Sequence, residues 1–236
     1  MGYASTLNVL HPVEEDPFHL APVPFIYHQI EDKGRDQWHD QLIADARRTF
    51  SEPILEVPDV RHIHDLGSPP QFDALVWSEN QNTPVGVWHN VPTNGFLNVK
   101  TDSVKALKEL IETRYLNALK RFKILDIQGH EASISESWIQ FYKNSDYKVL
   151  HNHERYGPPY LIHAWAGAYY IDDGNPASTM PYSGVLSFRI RQTNYHIRPR
   201  PGLLVMWPAD ILHEVHPFYG TKERIVVNFN IHINGS

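Results

Sequence analysis

Between Glu131 and Ile233 the sequence repeats one pattern: a short run rich in Val, Ile, Phe, Tyr and Trp, then a cluster of turn-forming residues. Ile134–Phe141 alternates apolar and polar positions. Tyr147–His151, Leu161–Ile171, Gly184–Arg191, Leu203–Trp207 and Arg224–Ile233 follow. The separators are Lys143-Asn144-Ser145-Asp146, Asp172–Ser183, Arg198–Gly202 and Pro217–Lys222. One such strand alone cannot bury its apolar face, but many at close spacing pair into a sandwich or a jelly-roll barrel. The expected fold class is mainly β with flanking helices, around a sandwich or jelly-roll core.

Upstream the period changes. Residues 1–33 are rich in Pro and His and read as an extended arm with one strand near Pro24–Gln29. Gly34–Ser51 carries Trp38, Leu42, Ile43, Ala46 and Phe50 at three- and four-residue spacing, which predicts a helix. Residues 52–100 hold six prolines and read as loops and short strands. Thr101-Asp102-Ser103 then caps a second helix to about Phe122. The two helices could pack on the outside of one sheet. No repeat or linker divides the chain, so 1–236 is expected to be a single domain. Residues 1–130 are expected to supply the arm, helices and supporting strands, and 131–236 the β core.

Composition narrows the chemistry. The chain has 236 residues, 21 Lys and Arg against 27 Asp and Glu, a formal charge of −6, no Cys and fifteen His. The acidic balance argues against nucleic-acid and anionic-membrane binding, which need dense cationic side chains. No apolar run approaches the roughly 20 residues of a membrane helix. The first residues lack a secretory n-region and h-region. The absence of Cys excludes disulfides, thiolate zinc, iron–sulfur clusters and a cysteine nucleophile, and fits a reducing, cytoplasmic setting. Neutral imidazole is the commonest metal ligand, so the histidines become the candidates for chemistry.

His151-Asn152-His153 closes a strand, and residues two apart on a strand share a face, so both rings can reach one ion. His213 lies 62 residues after His151, on another expected strand that a barrel folds back toward the first. Arg224 follows His213 by 11 residues at the head of an apolar strand. A turn through Gly220 would set it inside the barrel, where a guanidinium can hold a carboxylate in a two-pronged grip.

From Trp138 to Ile233 the chain resembles the catalytic double-stranded β-helix (jelly-roll, cupin-like) core of iron(II)- and 2-oxoglutarate-dependent oxygenases, and within them the small bacterial and phage group with a His-x-His motif. The matching elements occur in family order: Trp138 with Tyr142, His151-Asn152-His153, Ala166–Tyr170, Gly184–Phe188, Pro201–Val205, Trp207-Pro208, His213–Pro217 and Arg224–Asn230. The first 130 residues match only weakly. The resemblance implies Fe(II), 2-oxoglutarate as cosubstrate and O2, with His151 and His213 as iron ligands. His153 stands where most relatives carry Asp or Glu. Arg224 corresponds to the residue that pairs with the distal carboxylate of 2-oxoglutarate, and Tyr170 to a tyrosine that often shares it. Tyr142 stands where a phenol can reach the cosubstrate. The implied activity is a dioxygenase, a hydroxylase that couples decarboxylation to succinate with oxidation of a small molecule, peptide or protein.

Two departures stand out. A third imidazole would leave the site one charge more positive than the usual triad, with Glu154 as the reserve carboxylate. Val226 also replaces a Ser that many relatives use beside the Arg. The competing readings are a three-His cupin dioxygenase that uses no 2-oxoglutarate, and a non-catalytic metal- or ligand-binding jelly roll; Arg224 and its spacing from His213 count against the former. His163 and His216 read as structural, Trp88-His89-Asn90 and Asn98 as candidate mouth residues, and Arg191, Arg198 and Arg200 as reserve anchors. The widely separated residues of an HNH nuclease do not fit His-Asn-His. A homodimer is left open.

Overall fold

The computed structural model describes residues 9–10, 18–20, 23–49, 95–123, 130–153 and 164–233. The alternating and apolar runs pair into two sheets. The larger takes the order β2 (Phe18–Leu20), β3 (Val23–Gln29), β9 (Leu203–Pro208), β6 (Trp165–Asp172), β11 (Arg224–Ile233) and β4 (Ala132–Tyr142). The smaller takes β1 (Val9–Leu10), β8 (Thr193–Ile197), β7 (Leu186–Ile190), β10 (Leu212–Val215) and β5 (Lys148–His151). Apart from the parallel β1–β8 edge, all pairs within these sheets are antiparallel.

Both helices form where the periodicity puts them: α1 over Arg35–Thr49 and α2 over Asp102–Arg121. Thr101 caps α2, its side chain accepting from the Val104 N–H. The Trp38 indole donates to the Ser103 carbonyl at 3.0 Å, and Ser103 hydrogen-bonds Asp45, so α1 and α2 are tied together. Their apolar faces cover one side of the larger sheet. Leu42, Leu107, Ile111, Tyr115 and Leu119 pack there with Trp165, Tyr169, Val227 and Phe229. The opposite side of that sheet meets the smaller sheet across a second cluster: Tyr142, Ala166, Ala168, Tyr170, Phe188, Trp207 and Val226.

The sequence pattern misses β8. Thr193-Asn194-Tyr195-His196-Ile197 is mostly polar because it lies near the edge of the smaller sheet, with its first residues exposed. The Gly184–Arg191 run is shorter as a strand than expected. Gly184 (φ 64°) and Arg191 (φ 56°) adopt left-handed backbone at its two ends. Glu154, His163 and Trp88-His89-Asn90 lie outside the described residues; Asn98 closes a one-turn 3-10 helix, Phe96–Asn98.

Candidate metal centre and anion pocket

Pairing register builds the centre. β5 and β10 run antiparallel with His151 directly opposite His213, and their rings lie 4.3 Å apart. β5 ends at His151, so His153 is not held by strand alternation. Its backbone N–H instead donates to the Ala209 carbonyl at 2.8 Å. That bond turns its ring back to 5.3 Å from His151 and 5.0 Å from His213. One ligand atom from each of the three lies within 4.8 Å of the others.

Each ring is fixed from behind. His151 Nδ1 is 2.7 Å from the Val149 carbonyl, His213 Nδ1 is 2.9 Å from the Ile211 carbonyl, and His153 Nδ1 is 2.6 Å from Asn230 Oδ1. An oxygen acceptor at Nδ1 places the proton there and leaves Nε2 with its lone pair for a metal. Burial pushes His151 down to about 3 and His153 down to about 4, and holds His213 well below the ordinary imidazole range. The three rings are therefore neutral, the form that ligates. Indole planes support them: Trp138 stacks on His153 at 6.0 Å and Trp207 meets His213 edge-on at 4.8 Å.

On the larger sheet, β11 sets Arg224 opposite Tyr142. The guanidinium is 1 % exposed. It lies 3.8 Å above the Tyr142 ring and 5.8 Å from that of Tyr170. Arg224 Nη1 donates to the Gly184 carbonyl at 2.6 Å, while Nε has no acceptor. Gly184 is required here twice over: its φ is positive, and a Cβ would come within 2.9 Å of Nη1. Among the described residues Arg224 makes no ion pair, since Glu223 beside it pairs with Arg47. The Asp146 carboxylate feels the Arg224 charge without forming an ion pair with it, and a buried cation compensated only in this way can accept a further anion.

Tyr170 points to the same side as Ala166 and Ala168, as alternation requires, and burial pushes its phenol up. The Tyr142 hydroxyl donates to Gln140 Oε1 at 2.9 Å, so this residue offers the guanidinium mainly its ring. His216 faces away from the centre, bonded to Ser187 at 2.7 Å. Arg191 and Arg200 are exposed, and Arg198 donates to the Pro181 carbonyl.

Sequence reasoning overlooked three features. Asn230 stands behind His153 and in turn donates to Glu136 at 2.9 Å. The Trp207 Nε1 is buried without an acceptor beside His213. Gln140 and Asn228 bond one another at 2.8 Å between the two ends of the cavity. The available signal was alternation along β11: Arg224, Asn228 and Asn230 share a face, and polar residues on the inward face of an apolar strand mark a site.

Residues 136–230 match the family model described as "Putative 2OG-Fe(II) oxygenase". Over these residues the chain matches a 2OG-Fe(II) oxygenase domain. That family uses Fe(II), 2-oxoglutarate and O2. The centre fits this set: three neutral imidazoles converge, and a guanidinium with an orphaned Nε lies against Tyr142 and Tyr170 of the cluster between the sheets. No curated protein sequence matches the chain. Among solved structures, the viral collagen prolyl hydroxylase of Paramecium bursaria Chlorella virus-1 has a TM-score of 0.54 at 15% identity, over 94% of this chain and 96% of that one. A Pseudomonas putida prolyl-4-hydroxylase scores 0.51 at 13% identity, over 91% and 95%. A Burkholderia pseudomallei oxidoreductase of the 2OG-Fe(II) oxygenase family scores 0.44 at 12% identity, over 57% of this chain and 59% of that one. The first two likenesses show the double-stranded β-helix fold. None of the described helices is long and apolar enough to cross a membrane.

Proposed function

We propose that the oxygenase domain is a hydroxylase in which His151, His153 and His213 hold iron(II) and Arg224 anchors 2-oxoglutarate. The observation that carries this reading is the buried Arg224, without an ion pair among the described residues, against the same intersheet cluster that His213 meets through Phe188 and Trp207. A metal-binding jelly roll without cosubstrate has no use for such a charge, and neither does a three-His cupin dioxygenase that takes no 2-oxoglutarate. The likeness to two prolyl hydroxylases supports hydroxylation as the outcome.

Iron(II), when bound, supplies the redox chemistry that couples decarboxylation of 2-oxoglutarate to oxidation of a substrate C–H bond. The chain's own residues do the rest. Val149, Ile211 and Asn230 lock the three imidazoles in the ligating tautomer. Arg224 Nε and the Tyr170 hydroxyl would hold the distal carboxylate, while the Tyr142 ring and the Gly184 carbonyl keep the guanidinium in place. Ala166 and Ala168 are the small side chains on that side of β6, and the buried rings of Phe188 and Trp207 pack beside them. Three neutral ligands leave the metal one charge more positive than a triad with a carboxylate, which favours a dianionic cosubstrate.

The test is incubation with iron(II), O2 and 2-oxoglutarate, with succinate as the readout even without substrate. Succinate formation that requires all three components supports the reading. Metal binding with no 2-oxoglutarate turnover and no 2-oxoglutarate affinity defeats it.

A further inference from the structure

The three imidazoles are held in two different ways. His151 and His213 each lean on a backbone carbonyl two residues back, Val149 within β5 and Ile211 just before β10. His153 lies past the end of β5 and leans on a side chain from another sheet, Asn230 of β11. Asn230 is 8 % exposed, and its cross-strand neighbour on β4 is Glu136. The Asn230 amide donates to Glu136 Oε2 at 2.9 Å. Among the described residues no cation pairs with that carboxylate.

The order of atoms in this chain is forced. A carboxylate accepts only, so Asn230 must turn its Nδ2 toward Glu136. That leaves Oδ1 facing His153, and an acceptor there requires the proton on Nδ1. The lone pair then lies on Nε2, toward the other two imidazoles. Reversing the amide would set two oxygens against each other at one end and two N–H groups at the other.

Resting on the three-imidazole reading, we infer that Asn230 and Glu136 are positioning residues for the third ligand. Asn230 fixes the His153 tautomer, and Glu136 polarises the amide so that an all-imidazole centre receives, one bridge removed, the negative charge that a carboxylate ligand would give it directly. Outer partners of ligating histidines typically account for about 10–100-fold in metal affinity, and an acceptor polarised by a charged neighbour is the stronger kind.

The experiment is anaerobic titration of the full chain with Co(II), read as Kd and as the visible ligand-field spectrum, with apo stability measured alongside. His153→Ala tests the underlying reading and should lose affinity. Asn230→Leu should weaken Co(II) about 10–100-fold and shift the spectrum with apo stability retained. Glu136→Gln keeps an acceptor for Nδ2 and removes only the charge, and should cost less, within about tenfold. Glu136→Gln combined with Asn230→Asp exchanges the places of carboxylate and amide and should restore affinity. If His153→Ala loses Co(II) while Asn230→Leu and Glu136→Gln bind as the wild type does, the relay is overturned and the three-imidazole reading stands. If His153→Ala binds Co(II) unchanged, the third ligand itself is wrong and the relay falls with it. Should Asn230→Leu fail to fold, Glu136→Gln decides: an unchanged Kd and spectrum overturn the proposal.

Discussion

The two faces of β6 are opposites. Toward the helices it presents Trp165, Tyr169 and Ile171, and Gly167 lies so close beneath Phe229 that a Cβ would meet its ring at 2.3 Å. Tyr115 packs edge-on against Trp165 at 5.8 Å, and the Tyr169 hydroxyl is hydrogen-bonded to buried His39 at 2.7 Å. Toward the cavity it presents Ala166, Ala168 and Tyr170. Two of these side chains are small, and buried donors on the neighbouring strands, Arg224 Nε and Trp207 Nε1, lack acceptors. One face has paired its polar atoms within the chain; the other keeps donors without acceptors. Packing free energy collects on the first face, and binding free energy becomes available on the second.

The comparison predicts which property each substitution moves. His151→Ala or His213→Ala should abolish stoichiometric iron binding while the apo protein still folds, because both apolar clusters stay complete and lose only the contacts of the His213 ring with Phe188 and Trp207. Metal analysis after anaerobic reconstitution checks this, and retained iron removes that residue from the site. Arg224→Ala leaves a buried carboxylate without its partner, at a cost of about 3–5 kcal/mol, or roughly two to three and a half decades. The Kd for 2-oxoglutarate should rise at least about a hundredfold with iron binding intact. On the other face, Phe229→Ala should cost about 3–5 kcal/mol of stability, seen as a lower urea midpoint. Its 2-oxoglutarate affinity, measured under folding conditions, should stay near that of the wild type. A Phe229→Ala protein that keeps its midpoint but loses the cosubstrate would break the division between the faces.

Much of this was legible because alternation is a local rule. It put Tyr170 on the side of Ala166 and Ala168, and Arg224 at the inner head of its strand. The His-x-His spacing and the distant His213 pointed to the cluster in which the three imidazoles meet, and Thr101 marked the start of α2. What was not legible depends on partners far apart in sequence. His153 reaches the centre through a backbone bond to Ala209, not through strand alternation. Asn230 and Glu136 meet through the β11–β4 register, 94 residues apart. Polar, exposed β8 carries no apolar period, and its pairing with β7 follows from the left-handed turn at Arg191, a residue with no particular preference for that conformation.

Tyr170 and Tyr169 sharpen the comparison most, since they are adjacent and face opposite ways. Tyr170→Phe should remove one hydrogen bond to a charged ligand, about 1.5–3 kcal/mol, and so weaken 2-oxoglutarate about ten- to a hundredfold with unchanged stability. Tyr169→Phe should have the smallest effect, about 1 kcal/mol of stability from the lost bond to His39, and none on cosubstrate. Acid gives a second readout. Burial pushes His39 down to about 4, so the folded protein rejects a proton that the unfolded chain accepts below its ordinary value of 6.5. The unfolded state then binds more protons, and stability must fall as pH drops from about 6.5 toward about 4. The buried imidazoles of the metal-free centre act with the same sign. Burial, and not the phenol, is the main cause for His39, so the acid slope should persist in Tyr169→Phe. Urea titrations of both variants at neutral pH and near pH 5 decide the matter. Equal losses of stability in the two would mean that the cavity face carries packing energy after all, and that Tyr170 is a core residue.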